Sequence, residues 1–152
     1  LTSCSIISSD SQDTMTYTQL STLIESFETE TQIDELEKII LVNKADVNRF
    51  LNRFPSNSFT QERLSNVNFS DSLIVGVFVG SRPNTSYSVS IDSIVVGPSS
   101  SLAYITETGS AAGGRAITWP AHFVVVGKAD FNPRRAGFPF KRICLLEPCS
   151  WP

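Results

Sequence analysis

Residues Ser72 to Ile94 read SLIVGVFVGSRPNTSYSVSIDSI, a strongly apolar run that enters a polar turn and leaves as a strict alternation. From Leu73 to Val79 every position but Gly76 is apolar, the composition of a strand covered on both faces. Tyr87, Val89 and Ile91 then alternate with Ser86, Ser88 and Ser90 at period two, so the second strand is expected to bury one face only. Between the two, Gly80 releases the first strand, Pro83 fixes its own φ and Asn84 tolerates left-handed backbone. The segment Arg82-Pro83-Asn84-Thr85-Ser86 is therefore expected to project as an ordered, exposed turn, and loops held by a rigid sheet are where binding residues concentrate.

Outward from this hairpin the pattern remains mostly β. Upstream, Leu23 to Ile33 alternates, with Phe27, Thr29, Thr31 and Ile33 on one face and Glu28, Glu30 and Gln32 on the other. Lys38 to Val42 (KIILV) is β-branched and apolar enough for a more buried strand. Asn43 is placed to cap a helix with Asp46 three residues on, Val47, Phe50, Leu51 and Phe54 fall at i, i+3, i+4 and i+7, and Pro55 stops it. The segment from Pro55 to Ser72 is polar, with one helical turn expected around Gln61 to Leu64. Downstream, Gly97 to Ser100 reads as a turn, Leu102 to Thr108, Ala121 to Val126 and Lys141 to Leu146 as strands, and Gly109 to Gly114 as a flexible loop. Six or more strands with one short α-helix predict a mainly β protein, an antiparallel β-sandwich or open barrel.

The 152 residues, 41% hydrophobic, suffice for one domain with a real core. The expected division is a Ser/Thr-rich tether over residues 1–22 and a β domain over 23–152. Leu1 to Asp71 carry 11 acids and 5 bases, whereas Ser72 to Pro152 carry 4 acids and 7 bases. The one basic cluster, Lys128, Arg134, Arg135, Lys141 and Arg142, lacks interleaved aromatic platforms and reads as a solvated surface, so no nucleic-acid partner is expected. No apolar run approaches the roughly 18 residues of a membrane span.

Leu1-Thr2-Ser3-Cys4-Ser5 resembles a bacterial lipobox, in which the cysteine is lipidated and becomes the mature amino terminus; the polar stretch after it resembles the tether of a lipoprotein. Lipidation is expected at Cys4, with the chain exported to the cell envelope and meeting the membrane through that anchor only. Cys144 and Cys149, separated by Leu-Leu-Glu-Pro, are either a disulfide or a chance pair, and an exported setting favours the disulfide.

Catalytic chemistry finds little to build on. His122 is the only histidine, and alternation places it with Val124 and Val126 opposite Phe123 and Val125, the position of a hydrogen-bonded structural side chain. Glu28, Glu30, Asp34, Glu35 and Glu37 belong to an exposed face or turn, and Gly113-Gly114 lacks the Lys and Ser/Thr of a phosphate loop. With one histidine, a Cys/His zinc site lacks ligands. No enzyme, metal, cofactor or small-molecule ligand is expected.

G-S-R-P-N-T-S-Y-S-V-S-I resembles the signature G-x-x-P-T-G-G-Y-x-V-x-I of the PrcB-like C-terminal domain, named after a subunit of a bacterial surface protease complex. Thr118-Trp119-Pro120-Ala121-His122-Phe123-Val124-Val125 is similar to that family's closing T-Y-P-Y-H-x-V-x, and the resemblance runs over Leu23 to Val126. It implies a non-catalytic accessory domain that associates with and stabilises a surface protease or another envelope protein. The candidate contact residues are Arg82, Pro83, Asn84, Thr85 and Tyr87, joined by Gly113, Gly114, Arg115 and Trp119 if the loops meet at one end. Tyr87 and Trp119 read equally well as core aromatics. R-P-N-T-S-Y followed by A-A-G-G also resembles two loop motifs of chagasin-like cysteine-protease inhibitors; the third, R-P-W, is missing, its place falling near Asn132-Pro133-Arg134. A purely structural envelope protein is the third reading.

Overall fold

The computed structural model describes residues 19–21, 25–28 and 31–151. Its elements are strands β1 (Gln19–Ser21), β2 (Glu25–Glu28) and β3 (Leu36–Leu41), helices α1 (Lys44–Arg53) and α2 (Ser58–Ser65), then strands β4 (Ser72–Val79), β5 (Ser88–Val96), β6 (Ser101–Ser110), β7 (Ala121–Gly127), β8 (Ala136–Gly137) and β9 (Phe140–Leu146). One sheet has the order β2-β7-β4-β3, antiparallel throughout. The other runs β1-β5-β6, with β8 and β9 both added parallel to β6. The sheets form a sandwich, and the two helices lie on the outer face of the first sheet.

This layering accounts for the apolar run. Leu73, Val75, Val77 and Val79 of β4 face the second sheet and meet Val89, Ile91, Ile94, Ala103 and Ile105. Ile74 and Phe78 point the other way, into a core with Val47, Phe50, Leu64, Val67 and Phe123. A strand with no solvent face has no use for alternation, so every position of β4 is buried. β7 is divided in the same way, with Val124 and Val126 facing inward between the sheets and Phe123 and Val125 facing the helices. The rings of Phe50, Phe78 and Phe123 meet at centroid separations of 5.4 to 5.9 Å, two of the pairs edge-to-face.

α1 forms where its periodicity places it. The Asn43 side chain accepts from Asp46 N at 2.8 Å, and Asp46 Oδ2 accepts from Val42 N at 2.9 Å, so two donors at the helix entrance are satisfied reciprocally. α2 is a full eight-residue helix where one turn was expected. Asn57 caps it by accepting from Thr60 N at 2.8 Å, and Thr60 and Leu64, four apart, are its buried anchors. Asp92 is the extra residue of a bulge in β5, so Ile94 recovers the inward face that Ile91 occupied.

Three further expectations change. β1 pairs with β5 inside the stretch assigned to the tether, so the sheet reaches back to Gln19. Gly109 and Ser110 belong to β6 and are buried, which shortens the loop taken to begin at Gly109. The proposed strand over Leu23 to Ile33 is a strand at Glu25–Glu28, while Thr31 and Ile33 are buried outside it. Cys4 and most of the tether lie outside the described residues.

Candidate functional site

The candidate residues do converge on one end of the sandwich. A two-way bridge joins the loops: Arg82 N donates to Thr118 O at 2.7 Å and Thr118 N to Arg82 O at 3.0 Å. Thr85 N donates to Gly114 O at 3.1 Å, and Gly114 N to Thr85 Oγ1 at 2.8 Å. Asn84 forms an Asx turn by accepting from Ser86 N at 2.9 Å, and its Nδ2 donates to Ser110 O at 3.1 Å. The segment is thus clamped to the end of β6 by short polar side chains. Gly80, at φ 85°, turns the chain out of β4 into this clamp, and a Cβ there would stand 2.6 Å from Asp34 O.

Not all of the segment is exposed. Pro83 and Thr85 face solvent, but Arg82 is 2% exposed, so its expected projection from the turn is corrected. Its side chain turns inward because β6 presents an acid there: Glu107 follows Ala103 and Ile105 at period two on the inward face and is wholly buried. Arg82 Nε donates to Glu107 Oε1 at 2.5 Å and Arg82 Nη1 to Ser81 O at 2.9 Å, while Arg142 Nε of β9 donates to Glu107 Oε2 at 3.2 Å. A dry carboxylate needs such partners, since an unpaired buried charge costs several kcal/mol. Guanidinium is the group whose planar fork suits that task.

Tyr87 is buried and stands as a core aromatic. Its hydroxyl accepts from Ser150 N at 2.7 Å, and its ring meets Trp151 edge-to-face at a centroid distance of 5.3 Å. Arg142 lies 5.4 Å from the Trp151 ring. Gly109 lets this stack form, because a Cβ there would come within 2.5 Å of the Tyr87 ring and 2.9 Å of Trp151. The tail that carries Trp151 is tied back to β9 by a Cys144–Cys149 disulfide. Trp119 is half-buried, and its Nε1 donates to Asp34 Oδ1 at 2.8 Å. Gly113 and Arg115 complete the loop beside Thr85, with Arg115 exposed.

His122 accepts at Nδ1 from Ile91 N, at 2.9 Å. The imidazole thus satisfies a backbone donor next to the bulge of β5, and the hydrogen bond expected of this side chain is present. Among the described residues no group of three or more His, Cys, Asp or Glu side chains is arranged to hold a metal ion, and no helix is long and apolar enough to cross a membrane. Asn132 N donates to Ser101 Oγ at the start of β6, whereas Asn84 meets Ser110 at its end. The place of the third inhibitor motif therefore lies at the other end of β6 from the two loops that resemble the first two.

Sequence reasoning missed Glu107, Arg142, Ser150, Trp151 and Ile117 as neighbours of the loop. A signal for Glu107 was present, since Ala103-x-Ile105-x-Glu107 puts a carboxylate on an inward face that demands a cation. Comparison of the chain with protein-family models, curated proteins and solved structures found no match.

Proposed function

We propose that the chain is an exported, lipid-anchored accessory domain that binds another envelope protein, such as a surface protease, through the loop end of its sandwich. The reading rests on the resemblance of Gly80 to Ile91 and Thr118 to Val125 to the PrcB-like domain and on the lipobox-like Leu1 to Cys4. The observation that carries it is the clamp: two loops and the carboxy-terminal tail are fastened together by backbone and side-chain hydrogen bonds that leave Pro83, Thr85, Arg115 and Ile117 outward. A preordered surface loses little conformational entropy when a partner docks. On this reading the domain acts by contact and not by catalysis, and Glu107, the acid buried at this end, is held by Arg82 and Arg142.

Affinity capture from the source envelope tests this reading. Pro83→Ala combined with Arg115→Ala alters exposed residues only, so capture of the partner should weaken at least fivefold while thermal unfolding stays within the range of ordinary surface substitutions, about 0.5 kcal/mol. Undiminished capture by that variant refutes the surface. The anchor is tested separately: the full-length gene product should incorporate labelled fatty acid, and incorporation that persists in Cys4→Ala rules out Cys4.

A further inference from the structure

Beside the clamp lies an open pocket lined by Ser81, Arg82, Pro83, Ile117, Ser150 and Trp151. Its walls are of two kinds. Pro83, Ile117 and Trp151 offer apolar surface, and Ile117 is 62% exposed. Ser81, Ser150 and Arg82 supply the polar part.

The charge beneath the pocket is unbalanced. Arg82 and Arg142 share the single carboxylate of Glu107, which leaves one positive charge in excess on the three groups. Arg82 spends Nε on Glu107 and Nη1 on the Ser81 carbonyl, while Nη2 forms no hydrogen bond among the described residues. A guanidinium nitrogen held rigidly by its two siblings is an anion donor that needs no reorganisation to act.

We infer that this pocket takes the last residue of a partner polypeptide, with its α-carboxylate on Arg82 and its apolar side chain against Ile117 and Trp151. Within a polypeptide only the chain-terminal residue places a carboxylate and an apolar side chain on one Cα; an internal Asp or Glu carries the first without the second. The inference rests on the contact reading above and gives it a partner chemistry.

Calorimetric titration of the unaltered protein with acetyl-Gly-Ala-Val-Leu, as free acid and as carboxamide, tests it without any envelope component. The acid should bind at least about tenfold more tightly than the amide, the margin of a charge-assisted hydrogen bond. Ile117→Ser, which changes an exposed side chain, should weaken the acid roughly fivefold. Equal affinity for acid and amide, no binding of the acid in the millimolar range, or an Ile117→Ser variant that binds undiminished overturns the inference. So does equal binding of N-acetyl-leucine, which would make the ligand a small acid, or of an amidated peptide with an internal Asp. If the peptide fails while capture from the envelope succeeds, only this inference falls. If the peptide binds while capture is untouched by the loop variant, the accessory surface falls instead.

Discussion

Arg82 and Arg142 grip the same carboxylate, yet their removal should have unequal consequences. Arg82 is 2% exposed and its Nε stands 2.5 Å from Glu107 Oε1, so Arg82→Ala leaves a wholly buried carboxylate oxygen without its closest donor. Breaking a buried pair in this way costs about 3 to 5 kcal/mol, and the surviving Arg142 contact to Oε2 places the expected loss near 3. Arg142 has a side chain 34% exposed, and water replaces much of what it gives. Arg142→Ala should cost about 1 to 2 kcal/mol, part of it the lost cation–π contacts with Phe140 and Trp151. Urea unfolding followed by circular dichroism measures both, with an unchanged slope confirming that the folded state is intact. The control is Arg82→Met with Glu107→Leu, which removes both charges at similar volume and should recover most of the stability. If Arg82→Ala costs no more than Arg142→Ala, the site is wet and the reasoning fails.

Two other perturbations probe the packing. At Gly76 a Cβ would lie 2.6 Å from the Phe123 ring, so Gly76→Ala should destabilise by about 1 to 3 kcal/mol despite adding a single carbon; a neutral result in thermal unfolding would mean the ring moves freely. Replacing Cys144 and Cys149 together by Ser should cost about 2 kcal/mol, the entropy of so short a closed loop, and should loosen the tail enough to shift Trp151 emission; unchanged stability and emission would show that Tyr87 alone anchors it.

The parts of the fold that declared themselves in sequence are those where one physical demand acts on consecutive residues. β4 had to be apolar throughout and α1 had to repeat its apolar positions at helical spacing, and both are where they were expected. α2 was legible only as a single turn because only Leu64 and the polar Thr60 anchor it, while Phe59 is exposed, so no apolar period marks its full length. The parallel pairing of β9 with β6 escaped for another reason: partners 35 positions apart, such as Glu107 and Arg142, leave no local trace. At the site the turn itself was legible from Gly80 and Pro83, whereas Asn84 shapes it through its side chain and not through left-handed backbone. The orientation of Arg82 was not legible, because a charged residue between Ser and Pro carries no sign of an acid 25 positions away.

The position of β4 between two cores bears on how the molecule comes apart. Its odd-numbered side chains hold the space between the sheets and its even-numbered ones the space under the helices, so neither hydrophobic volume can open without exposing one flank of the same backbone. Peeling away the helical layer would flood Ile74 and Phe78 while their immediate neighbours stayed dry. A chain with three layers is thereby made a single cooperative unit, and the amides of β4 should exchange with solvent only through complete unfolding, while those of the peripheral β9 report on far smaller openings.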